Sequence, residues 1–273
     1  MNKSTPKIYR TTNWSSYNRA LINRGNIAIW FDPATQWYAP SKGKQGRNQT
    51  YSDAAIQCCL MIKSLFRLSL RMVTGFVQSL IHLCGLNWIA PDYTTICRRQ
   101  QHIDIVISYQ KSCDGLYLIV DSTGLKFLGE GEWKRKKHQP EYRRQWRKLH
   151  MGIDAKTLQI RAVQLTTNNV SDSQVLGDLL DQIPQDERVD SVYTDGAYDT
   201  KQCRQVIADR QAHAVIPPRK NAKPWKDKKM CIKLLGDKLS ARNFQSQVNE
   251  IHARMAVLNK FTDLGRPHTR VVT

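Results

Sequence analysis

Two stretches decide the reading of this chain: Leu116-Tyr-Leu-Ile-Val-Asp-Ser-Thr-Gly124 and Val189-Asp-Ser-Val-Tyr-Thr-Asp-Gly-Ala197. Each is a short apolar run rich in β-branched and aromatic residues. Each leads into an aspartate, Asp121 or Asp195, followed by small, turn-prone residues. Runs of this length and composition, bounded by Gly, Ser and Thr, read as buried strands.

Working outward, Lys148 to Asp154 and Leu158 to Thr166 read as two more strands, joined by a turn at Asp154-Ala-Lys-Thr157. A helix is predicted from about Asp172 to Ile183, with Val175, Leu176, Leu179 and Leu180 on one face. After the strand at Val189 come a helix from Thr200 to about Gln211 and a short strand, His213 to Ile216, ended by Pro217-Pro218. Three strands, helix, strand, helix, strand is the order of the ribonuclease-H-like fold, an α/β class with a mixed sheet flanked by helices. In that fold the first and fourth strands are neighbours, which would set Asp121 beside Asp195. Either aspartate alone reads more readily as a cap for the following turn. Together they make a pair of repelling carboxylates that a cation would stabilise, and hard oxygen donors of this kind suit Mg²⁺ or Mn²⁺.

Upstream, the pattern is helical from Tyr51 to about Gln101. Ser52 can cap a helix through Ala55, Ile56, Cys59, Leu60, Ile62 and Leu65. A second helix carries Leu70, Val73, Val77, Leu80 and Ile81 as far as Gly85, and a third runs from Pro91 through Arg99. These helices, with Arg98 and Arg99 at the exit, fit a helix-turn-helix-like DNA-binding unit or a bundle that only packs on the next domain. Residues 1–50 form a basic arm with Asp32 as its only acid, and Lys42 to Arg47 reads as a flexible loop. The expected organisation is therefore an arm over 1–50, a helical DNA-binding region over 51–110 and a catalytic α/β domain over 111–273.

Charge narrows the class of partner. The 273 residues carry 42 Lys and Arg against 23 Asp and Glu, a net +19, which favours a polyanion such as nucleic acid. Membrane insertion is not expected, because the most apolar stretch, Ala54 to Ala90, is broken by Lys63, Arg67 and Arg71. No secretory signal is read at the start, and a cytoplasmic location is expected. The seven cysteines (58, 59, 84, 97, 113, 203, 231) include no C-x-x-C pair, so reduced, mostly buried thiols are expected. No P-loop or Ser/His/Asp pattern occurs, and no nucleotide cofactor is expected.

The segment from Lys126 to Lys148 is the densest in charge. Lys134, Arg135, Lys136, Lys137, Arg143, Arg144, Arg147 and Lys148 are interleaved with Trp133, Tyr142 and Trp146. Cations on phosphates and aromatics on opened bases would give salt-dependent DNA contact, whereas the plainer reading is a solvated hairpin loop.

Asp121-Ser-Thr-Gly-Leu-Lys126, Thr194-Asp-Gly-Ala-Tyr-Asp199, Pro217-Pro-Arg-Lys-Asn-Ala222 and Cys231-Ile-Lys-Leu-Leu-Gly236 resemble the successive blocks of a DDE transposase of bacterial insertion sequences, the IS-five family. Thr12-Asn-Trp14, Trp30-Phe31 and Tyr93-Thr-Thr95 extend the likeness over nearly the whole chain. The resemblance implies a metal-dependent enzyme that binds the terminal inverted repeats of its element, cuts there and joins the ends to target DNA, as a homo-oligomer on double-stranded DNA. Asp121 and Asp195 match the first two members of the acidic triad.

The third acid is where the sequence departs from the family. Members carry a helix with a Tyr, an Arg, the catalytic Glu and a Lys between the third and fourth blocks; here Pro218 and Cys231 are close together and that helix is missing. Asp227 is either a relic of the Glu segment or the end of the preceding segment fused to the later block. Pro224, three residues earlier, favours fusion. Glu250, in a predicted helix from about Ile232 to Phe261, falls outside the motif and reads as a solvated helix residue. Two functions follow: a transposase, shortened by an internal deletion, or a catalytically defective protein that still binds the same DNA ends. A nonspecific nuclease of the same fold is a third and weaker reading.

Overall fold

The structure, a computed structural model, describes residues 8–41, 48–111, 114–127, 146–217, 235–236 and 238–272. A six-stranded sheet is ordered β4-β3-β2-β5-β6, formed from β2 (Leu116–Phe127), β3 (Trp146–Asp154), β4 (Ile160–Thr167), β5 (Val189–Tyr193) and β6 (His213–Val215). The short β7 (Lys238–Leu239) adds in parallel to the far end of β2. Strand β3 runs antiparallel to both of its neighbours, β2 and β4, while β5 and β6 run parallel to β2. This is the expected ribonuclease-H-like order, with the first and fourth strands of the sheet side by side.

One face of the sheet packs on α6 (Asp172–Asp181) and α7 (Lys201–Asp209). Leu116, Leu118 and Val120 bury against Leu176, Leu179, Leu180 and Ile207 there. The other face, with Leu125, Leu149, Met151 and Leu165, packs on the long α8 (Phe244–Leu264) through Ile251, Met255 and Leu258. The third cluster lies among α3 (Asp53–Phe66), α4 (Leu70–Leu83) and α5 (Tyr93–Arg99), and takes in Phe31, Trp37 and also Ala253 of α8.

The helix limits follow from local chemistry. Ser52 Oγ accepts from Ala55 N, as its position before the apolar period predicts, and α3 ends at Arg67 in the left-handed region (φ 53°). Asp92, Thr200 and Asn243 cap α5, α7 and α8 in the same way. Ahead of them lie β1 (Ile8–Thr11), α1 (Trp14–Arg24) and α2 (Ile27–Trp30). β1 pairs antiparallel with β8 (Thr269–Val272), joining the two ends of the chain.

Two sequence expectations need correction. Strand β2 does not turn after Asp121 but runs on to Phe127, because β3 continues to pair with it as far as Lys126 opposite Trp146. The last helix starts at Phe244 rather than near Ile232, since Lys238–Leu239 is drawn into the sheet and Asn243 supplies the N-cap. The expected loop at Lys42 to Arg47 lies outside the described residues.

Candidate active site

Asp121 sits within β2 and Asp195 two residues beyond the end of β5. The parallel ladder pairs Leu118 with Val192 and Ile119 with Tyr193. Carried on in the same register, it sets Asp121 opposite Asp195. Asp121 is half-buried, and its Oδ1 accepts from Ser122 N at 2.8 Å. Asp195 is exposed, and its Oδ1 accepts from Ala197 N at 3.0 Å, capping a 3₁₀ turn over Gly196–Tyr198. The capping reading therefore holds for Asp195 alongside its place in the pair.

The 3₁₀ turn carries Tyr198 inward. This residue is 1% exposed, and its hydroxyl has no hydrogen-bond partner among the described residues. Burial pushes the phenol well above its usual pKa, and the negative charges of Asp172, Asp195 and Asp121, in that order, push it further. Asp172, read from the sequence as the start of a helix, lies in the first turn of α6.

Asp172 lies 3.4 Å from Lys148 Nζ and 3.7 Å from His150 Nδ1. His150 is fully buried, and its Nε2 is 2.9 Å from Thr166 Oγ1. Burial lowers its pKa against the pull of Asp172, with Lys148 acting in the same direction as burial, so the imidazole is held neutral.

The described part of the basic segment is partly committed to internal contacts. Lys126 Nζ lies 5.4 Å from the centre of the Trp146 ring, and the Arg147 guanidinium lies 4.9 Å over Phe244. Arg147 Nε also donates to Gln247 Oε1, and Lys148 Nζ donates to Val170 O at 3.0 Å. Lys134, Arg135, Lys136, Lys137, Arg143, Arg144 and the third-acid candidate Asp227 lie outside the described residues.

Glu250 is not a solvated residue. It is 2% exposed, accepts from Ser240 N, Ser240 Oγ, Ala241 N and Arg254, and lies 3.9 Å from Lys63 of α3. The reason is that α8 is covered on several sides at once, by the sheet, by α3 and by α1. Among the described residues no group of three or more His, Cys, Asp or Glu side chains is spaced to hold a metal ion directly, and no helix is long and apolar enough to cross a membrane.

The sheet order, with Asp121 in its first strand and Asp195 two residues beyond its fourth, is that of a ribonuclease-H-like domain. Two family models described as Transposase DDE domain match this chain, one over residues 22–130 and the other over 113–270. The chain belongs to the DDE transposase family. Among solved structures, that of the Mos1 strand transfer complex is similar at 9% identity, covering 81% of this chain and 78% of that one with a TM-score of 0.34.

Proposed function

We propose that this transposase acts on the terminal inverted repeats of an insertion sequence of the IS-five type, cleaving DNA strands at the ends and transferring them to a target, with Asp121 and Asp195 as its catalytic carboxylates. The observation that supports the reading is the parallel pairing of β2 with β5, whose register, extended two residues past Ile119 and Tyr193, would set the two aspartates opposite one another.

The donor set fits a hard divalent cation, Mg²⁺ or Mn²⁺. Two carboxylates side by side need a counter-charge, and the buried Tyr198 hydroxyl, without a hydrogen-bond partner among the described residues, ends the turn that Asp195 caps. Such an ion, when bound, polarises the phosphate and favours the ionised form of the attacking water or 3′-hydroxyl. Asp121 and Asp195 would hold it, and the backbone N–H groups of Ser122 and Ala197 keep the two side chains oriented. The excess of Lys and Arg draws in the DNA phosphates, with Trp146, Arg147 and Lys148 at the start of β3 on the approach to the site. The protein would work in the cytoplasm on chromosomal DNA, assembled as a homo-oligomer.

The short interval between Pro218 and Cys231 favours a second reading, a protein that binds the ends without cutting them. One experiment separates the two: a labelled duplex bearing the element's terminal repeat is incubated with this chain or its Asp121→Ala variant, with Mg²⁺ or Mn²⁺. Specific nicking that disappears in the variant supports the enzyme; equal, salt-sensitive binding by both proteins without nicking supports the binding protein. Nicking that survives in Asp121→Ala removes Asp121 from the mechanism.

A further inference from the structure

Strands β1 and β8 form a two-stranded antiparallel ribbon of their own, apart from the six-stranded sheet. Its register sets Arg10 directly opposite Arg270, and Thr11 opposite Thr269 on the alternate face. Both arginines are exposed. Like charges directly opposite one another weaken a strand pair, and a two-stranded ribbon is marginal in water to begin with. Neither strand holds an Asp or Glu to offset the repulsion, and the sequence has none before Asp32 or after Asp263. The helix that follows β1 adds the exposed Trp14 and Arg19.

The ribbon is held at its root. Thr12 N and Oγ1 donate to His268 O at 2.8 and 3.1 Å, Asn13 Nδ2 donates to Arg266 O at 2.9 Å, and His268 N donates to Asn13 Oδ1 at 2.7 Å. Arg24 of α1 donates to Gly265 O at 3.1 Å, just past the end of α8. A repelling cation pair on a scaffold that is already tied down fits a polyanion with closely repeated charges, and duplex DNA carries one about every 1.7 Å along its axis. A two-stranded ribbon is also one of the shapes that the major groove admits.

We propose that the β1–β8 ribbon is a binding surface for double-stranded DNA, with Arg10 and Arg270 neutralising phosphates side by side. The inference rests on the reading of this chain as a protein that acts on duplex DNA. It adds a contact made by the two terminal segments, separate from the basic stretch that leads into β3. DNA bound there offsets the repulsion between Arg10 and Arg270, so strand pairing and DNA binding support each other.

The test is binding of the full chain to a labelled duplex bearing the terminal repeat, measured over a range of salt concentrations, with thermal unfolding followed in parallel. Arg10→Gln combined with Arg270→Gln is expected to make the slope of log binding constant against log salt shallower by about 1.8, at about 0.9 per phosphate, which over a fourfold rise in salt is about a twelvefold smaller loss of affinity. The same variant should melt at or above wild type, because it removes a like-charged pair. Arg10→Lys combined with Arg270→Lys keeps the charges and should keep the slope. The control is Lys111→Gln combined with Arg188→Gln, which removes two exposed cations already paired with Asp186 and Asp190 and should leave the slope near that of wild type. An unchanged slope in the Arg10, Arg270 glutamine variant overturns the proposal, and so does an equal change in the control, which would spread the effect over the general charge of the protein. A wild-type chain that does not bind the duplex removes the DNA-acting reading itself; wild-type binding that the ribbon variant fully retains sinks only the ribbon.

Discussion

Replacing Glu250 by Ala should unfold the protein long before it touches catalysis. The carboxylate is 2% exposed and accepts from Ser240 N at 3.1 Å, Ser240 Oγ at 2.9 Å, Ala241 N at 2.8 Å and Arg254 at 2.6 Å, with Lys63 at 3.9 Å. It thereby ties α3, the segment after β7, and α8 together. Removal leaves two backbone N–H groups and two cations without their acceptor, and breaking a buried ion pair from one side costs about 3–5 kcal/mol. For a chain near this size each kcal/mol moves the melting temperature by about 2–4 °C, so a drop of about 6–20 °C is expected. The two cations are not equivalent. Burial holds Lys63 below its ordinary pKa despite Glu250, so its charge is a strain on the fold, whereas Glu250 is held below its ordinary value although burial opposes this. We give the greater weight to Arg254 and the Ser240 and Ala241 amides as the source of stability, and expect Lys63→Met to cost less than about 1.5 kcal/mol. A depressed carboxylate stabilises the fold above its unfolded pKa of about 4.5 and loses that contribution as the pH falls through the folded value. The deficit of Glu250→Gln against wild type should therefore narrow below about pH 4.5. Circular dichroism melts at pH 7 and pH 4 measure both effects; a Glu250→Ala protein that melts with wild type would refute the account.

Other consequences are more local. Gly265 sits at φ 143°, and an added Cβ would come within 2.7 Å of Ala20 Cβ, so Gly265→Ala should cost about 1–3 kcal/mol in urea unfolding by prising α1 from α8. His252 is held below its ordinary value by burial, with Asp104 opposing. As the pH falls below about 6.5 the unfolded chain takes up the proton first, so stability declines there, and His252→Gln should flatten unfolding free energies between about pH 7 and 5. Arg147→Gln should reduce the slope of log binding constant against log salt by about one phosphate contact if Arg147 reaches the DNA, and an unchanged slope would confine it to its contacts with Phe244 and Gln247.

Much of the fold was legible because its signals are local. The apolar runs before Asp121 and Asp195, the cap at Ser52 and the one-sided apolar pattern of α6 each follow from neighbouring residues and the strand or helix period. The amino-acid sequence by itself also determined the basic character and the motif blocks on which family membership rests. Other features depend on contacts between residues far apart in the chain. Glu250 looks solvated on a helical period, yet α8 is packed from several sides and buries its polar residues against Ser240, Gln100 and Ile160. The continuation of β2 past Asp121 is decided by its partner β3, across residues with little apolar signal of their own. The nearness of Asp121 to Asp195 depends on which strands are neighbours and in what register. Periodicity tells which side of an element is buried; only strand order and helix packing decide which carboxylates meet.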